Sequence, residues 1–149
     1  MKWKRYFLFL WNFWPPFLGA GIHIYQISDD LFKVRVELKR RPWNRNIVGT
    51  QFGGSIYAMT DPFYMALLVI HLGPDFIVWD KGAKIDFKKP GRTKLFADFD
   101  VDQKLLDEVR LRAKMNGKHI FELPVEVKDA SGVIVASVQK TLYVRYKGL

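Results

Sequence analysis

The chain has 149 residues, with 24 Lys and Arg against 15 Asp and Glu, a formal net charge of +9. Hydrophobic residues make up 49% and charged residues 26%, which excludes a disordered chain and predicts one domain over 1–149, with 1–18 as an N-terminal helical extension. The absence of cysteine excludes disulfides and a cysteine nucleophile, and three scattered histidines (His23, His71, His119) give no metal-ligand spacing, so no metal is expected.

In chain order, Met1–Arg5 is basic and Tyr6–Trp14 is apolar and rich in rings. The pairing is similar to the front of a signal peptide, but Pro15-Pro16 follows and no small-residue cleavage site appears. The apolar run is too short to span a bilayer. It predicts a short amphipathic or buried helix that serves as a subunit contact, a lid over a pocket or a weak membrane-surface anchor. Gly21–Ile27 is a predicted strand. In Leu31–Arg40 one face carries Phe32, Val34, Val36 and Leu38 and the other Lys33, Arg35, Glu37 and Lys39, the alternation of a half-buried strand.

Phe52–Ile70 is different: nearly all apolar or small, without alternation, and with one charge, Asp61. That pattern predicts a central helix buried all round. A membrane span is the competing reading, opposed by Gly53, Gly54, Thr60, Asp61 and Pro62, because a carboxylate at mid-span is expensive. Further on, Leu95, Ala97, Phe99 and Val101 alternate, as do Val109, Leu111, Ala113 and Met115 with Arg110, Arg112 and Lys114 between them. Asn116-Gly117 reads as a hairpin turn into Phe121–Val127, and Asp129–Gly132 as a turn into a last strand, Val133–Tyr146. The C-terminal half is thus expected to be an antiparallel meander, and the class α+β: a sheet wrapped around one long helix.

Two constellations carry chemistry. A carboxylate on an apolar helix must be paired, capping or functional. Thr60-Asp61-Pro62 also fits a plain cap, with Asp61 restarting a helix kinked at Pro62. The second constellation, Asn46 to Gly54, leads from a loop into the helix start, where glycines admit a ligand and free N–H groups favour an anion. The positive charge favours an anionic partner or is simply a solvated basic surface. No nucleic-acid-binding signature is present, so nucleic acid is not an expected partner.

Asn46-x-x-Gly49-Thr50-x-x-Gly53-Gly54, then six residues, then Asp61, resembles the signature of acyl-CoA thioesterases of the hotdog fold. It is most similar to the phenylacetic-acid-pathway group, and the whole chain to a tetrameric acyl-CoA thioesterase-like subfamily. The resemblance implies a hotdog fold, a cytoplasmic enzyme and a homo-oligomer, dimer or tetramer, whose sheets join. It implies that the Gly53 N–H forms the oxyanion hole, that Asp61 acts as base or nucleophile, and that Asn46 positions the thioester or water. It places Thr50, Phe52 and Gly54 around the substrate, and Asp80 near the position of a small hydroxyl residue. Coenzyme A enters as part of the substrate, with no separate cofactor. Its phosphates have a candidate in the basic turn Lys88-Lys89-Pro90-Gly91-Arg92, through Lys89 and Arg92. Phe63, Tyr64 and Tyr57 are candidates for an acyl tunnel or for plain core.

One departure bears on activity. The family has His-Gly-Gly where this chain has Phe52-Gly53-Gly54, and phenylalanine neither donates a hydrogen bond nor holds a proton. A non-catalytic acyl-CoA or fatty-acyl binder is therefore the alternative, and a binder of anionic surfaces the third reading. Spacing adds a constraint. Gly53 and Asp61 are eight residues apart, so on one helix they lie ~12 Å apart along the axis. If both act on one thioester, they come from two chains.

Overall fold

The structure, a computed structural model, describes residues 2–148. Helix α1 (Lys2–Leu10), a 3-10 turn (Trp11–Phe13) and α2 (Pro15–Ala20) precede strands β1 (Ile22–Ile27) and β2 (Lys33–Leu38). Helices α3 (Gly53–Ala58) and α4 (Phe63–Leu72) follow, then β3 (Phe76–Phe87), β4 (Leu95–Asp100), α5 (Gln103–Asn116), β5 (Lys118–Asp129) and β6 (Ile134–Tyr146). The six strands form one antiparallel sheet in the order β1-β2-β4-β5-β6-β3.

The apolar run behaves as a core helix. In α4 the side chains of Phe63, Tyr64, Ala66, Leu67, Leu68 and Leu72 are buried, and the Phe63 and Tyr64 rings meet Phe99 of β4 at 4.9 and 5.2 Å. Phe63 and Tyr64 are therefore core residues. Burial pushes the Tyr64 hydroxyl up to about 12, and it donates to the Pro124 carbonyl. The run is broken between Ala58 and Phe63. Pro62 is the N-cap of α4, and the Asp61 side chain makes no capping bond. The kink falls where the proline predicts it, but the carboxylate is not its cap.

The meander is corrected at one element. Residues 109–115 lie on helix α5, not on a strand. Its core face is Leu106, Val109 and Ala113, at helical spacing, while Leu111 and Met115 are exposed. The start is set by Asp102, whose carboxylate accepts the Leu105 N–H at 2.7 Å. Gly117, at φ +74, ends the helix rather than turning a hairpin.

The N-terminal segment lies over α4. Lys4 donates to the Ile70 carbonyl, Asn12 exchanges two hydrogen bonds with the Ile24 backbone, and Trp11 and Phe17 pack on Phe63. Leu8 and Phe17 are its buried anchors, whereas Trp3, Tyr6, Phe7 and Leu10, spaced i, i+3, i+4, i+7, face outward.

Candidate active site

The loop into α3 is held by its own polar groups. Asn46 Oδ1 accepts the N–H groups of Val48 and Thr50, and its Nδ2 donates to Thr50 Oγ1 at 2.8 Å. The Asn46 amide thus folds the loop that presents Gly53. Gln51, fully buried and not among the residues expected at the site, donates to the Leu38 and Thr93 carbonyls. Its Oε1 has no hydrogen-bond partner among the described residues.

At the start of α3 the N–H groups of Gly53 and Gly54 precede the first intrahelical acceptor and find no other acceptor among the described residues. Both glycines let an aromatic ring come close to their backbone. A Cβ on Gly54 would lie 2.3 Å from the Phe52 ring, and one on Gly53 would lie 3.1 Å from Phe87. Phe52 is half exposed, with its ring folded over Gly54. Asn46, Thr50, Gly53, Phe87 and Lys89 line one hollow of about 380 Å³. Arg92 sits exposed on the same turn but does not line that hollow. Lys88 is ion-paired to Asp86.

Asp61 belongs to a different place. Its carboxylate, 55% exposed, accepts from Lys140 Nζ at 3.1 Å. Asp80 lies on the other side of that ammonium, with Oδ2 at 3.4 Å and Oδ1 buried without a hydrogen-bond partner among the described residues. The Tyr57 ring lies 5.6 Å from the ammonium. Lys140 itself is completely buried. It occupies the inward register of β6 between Val138 and Leu142, a position that alternation reserves for apolar residues.

A buried ammonium must be compensated, and here two carboxylates do it. Their environments differ. Asp80 stands in mid-strand on β3, next to a register shift between Asp80 and Gly82. Burial raises its carboxyl to about 6, with Lys140 pulling down and Asp61 pushing up. Sequence reasoning placed Asp61 and Asp80 in the site and missed Lys140. The available signal was a lysine at an inward strand position.

The expected residues therefore fall into two groups. Asn46, Thr50, Gly53 and Lys89 share one hollow, and Asp61 and Asp80 share a cation elsewhere. Asp61 also lines a small apolar hollow of about 190 Å³ with Tyr57, Trp14 and Pro62, and Gly53 does not reach it.

Among solved structures the chain is similar to PA5026 of Pseudomonas aeruginosa, a protein of unknown function called a probable thioesterase (TM-score 0.83, 18% identity, 97% of this chain and 95% of that one). It is similar to thioesterase HI1161 of Haemophilus influenzae (0.67, 12%, 95% and 90%) and to PaaI of the Escherichia coli phenylacetic acid degradation operon (0.65, 15%, 98% and 93%). At these identities the likeness shows the fold, which is the hotdog fold. Among curated proteins none matches. Residues 4–144 match the family model described as a domain of unknown function, DUF4442, and the chain belongs to that family.

Proposed function

We propose that the protein hydrolyses an acyl-CoA thioester at a site completed by two copies of the chain. The observation that carries this reading is Asp61. It interrupts an apolar core helix, caps nothing, and stays half exposed while a fully buried cation holds one of its oxygens. A carboxylate kept in place but open to solvent is the arrangement a general base or nucleophile needs.

Acting as base, Asp61 takes a proton from water as the water oxygen attacks the thioester carbon. The negative charge that develops on the carbonyl oxygen is met by the Gly53 N–H. Collapse breaks the C–S bond, the sulfur leaves as thiolate, and the proton taken by Asp61 returns to it. Acting as nucleophile, the same carboxylate attacks the carbon, the C–S bond breaks with the sulfur leaving as thiolate, and water cleaves the resulting anhydride, which restores the carboxylate and leaves a proton for the thiolate. In either route the Gly53 hollow of one chain faces the Asp61 of another, because on one chain they open into separate hollows. The 12-residue strand β3 supports such pairing: it is an edge of the sheet, bonded only to β6 among the described residues. Two copies joined there form a dimer with a continuous sheet. Lys89, in the Gly53 hollow, and Arg92, on its rim turn, are the cations for the coenzyme A phosphates.

The test is thiol release from acyl-CoAs of graded chain length, in which a protein without cysteine adds no background. Wild type releases thiol, and a folded, dimeric Asp61→Asn loses about a hundredfold or more in kcat. Activity that survives Asp61→Asn sinks the assignment. Phe52 favours one second reading, a binder in which the ring over Gly54 keeps the pocket inert. Stabilisation by acyl-CoA without thiol release selects that reading.

A further inference from the structure

Resting on the thioester reading, we propose that the apolar tail of the substrate lies in a groove walled by the N-terminal segment of the chain that supplies Asp61. Leu10, Trp11, Phe13 and Trp14 form one side of this groove, and Pro62 and Met65 the other. It holds about 630 Å³, within the range of sites that accept whole small-molecule ligands, and no charged residue lines it among the described residues. Two other hollows of about 380 Å³ are not like this. One carries Asp98, Asp100, Glu126 and Lys128, and the other Lys88 and Lys89.

Position assigns the occupant. Trp14 and Pro62 line both the groove and the small hollow that contains Asp61, so the groove adjoins the carboxylate's hollow across two apolar side chains. A ligand with a reactive carbonyl at Asp61 and a hydrocarbon tail fits that path. A polar tail would leave its groups unpaired against Trp, Phe and Pro. The wall is anchored on core rings. Trp11 meets Phe17 edge to face at 6.2 Å and Phe63 at 6.3 Å, and Trp14 meets Phe17 at 5.3 Å. Leu10, Phe13 and Trp14 are meanwhile exposed by about half or more, apolar area that a tail would remove from water.

The test separates this proposal from hydrolysis by using non-hydrolysable thioethers of coenzyme A. Dodecyl and ethyl thioethers are titrated calorimetrically into wild type, Met65→Trp and Trp14→Ala, each checked for folding and assembly. Burial of even four tail methylenes favours the dodecyl compound by roughly 250-fold in wild type, at about fourfold each. Met65→Trp, which fills the groove, lowers that ratio at least tenfold. Trp14→Ala, which removes a wall, lowers it by a smaller factor and stands in if Met65→Trp misfolds. A wild-type ratio near one overturns the proposal, as does a ratio that both variants leave unchanged. Vesicles of phosphatidylglycerol that bind wild type but not Met65→Trp, with the thioether ratio unmoved, also overturn it and give the surface to lipid. A ratio that behaves as stated, in a protein that cleaves no thioester, keeps the groove and removes the enzyme.

Discussion

Two buried charge clusters on the same sheet resolve the same problem in opposite ways. Glu37, on the outer face of β2, is surrounded by bases: Lys94 at 2.8 Å, Lys39 at 3.5 Å and His23 at 3.2 Å. Burial pushes its carboxyl up, but Lys94 and Lys39 outweigh that and hold it below the usual range. At Lys140 the ratio is inverted, with one buried cation between two acids. There burial wins at Asp80, which rises to about 6. A carboxylate with cations to spare is a structural tie. A site with fewer cations than carboxylates keeps reactivity, and it is the second cluster that contains Asp61.

The sharpest way to break this contrast is to remove the shared cation. Lys140→Met leaves two carboxylates around a buried apolar side chain, which costs ~3–5 kcal/mol at pH 7. A thermal melt should shift down by about 10 °C or more. The loss should shrink at pH 5, where Asp80 is protonated, and Lys140→Met with Asp80→Leu should recover most of it. A single variant that melts like wild type would mean the ammonium is not what holds these acids.

Asp80 gives the next effect, and its sign follows from the raised value. The folded carboxyl titrates near 6 and the unfolded one near 3.9, so between about pH 4 and 6 the folded state holds the proton more tightly. Stability from this group is present below about pH 4 and is lost as pH rises through 6, on the order of 3 kcal/mol in all. Asp80→Asn should flatten that stretch in urea unfolding and be the more stable protein at pH 7. An unchanged pH curve would place the titration elsewhere.

Much of this was legible in the sequence. The alternation in Leu31–Arg40 and Leu95–Val101 matched two strands, because one face of each meets the core, and the turn at Asp129–Gly132 led into the last strand. The all-apolar run with its Thr60-Asp61-Pro62 break matched a core helix in two pieces. Helix α5 was misread because Val109 and Ala113 satisfy both periods, and only Asp102 as a cap and the exposed Leu111 and Met115 distinguish them. Asp61 stood out as the lone charge in its run. Lys140 did not, since a lysine in a basic protein carries no signal until its register is fixed against Val138, Leu142 and Val144. Its meaning is long-range: Asp61 lies 79 residues away in sequence.

The smallest effect sharpens the contrast from its other end. Lys94 is half exposed and Lys39 about a third, so water screens both, and Glu37→Gln should cost only ~0.5–1 kcal/mol at pH 7. Because the folded carboxyl sits below its unfolded value, its contribution is whole above about pH 4.5 and disappears as pH falls through the folded value. Glu37→Gln should therefore lose less than wild type between pH 5 and pH 3 and follow it between 5 and 7, because Asp80, which titrates between about pH 4 and 6, is present in both proteins and cancels. Urea unfolding at pH 3, 5 and 7 separates the two windows. If Glu37→Gln altered the pH 5–7 interval instead, the two clusters would be coupled through the sheet, and the division into a structural tie and a reactive site would fail.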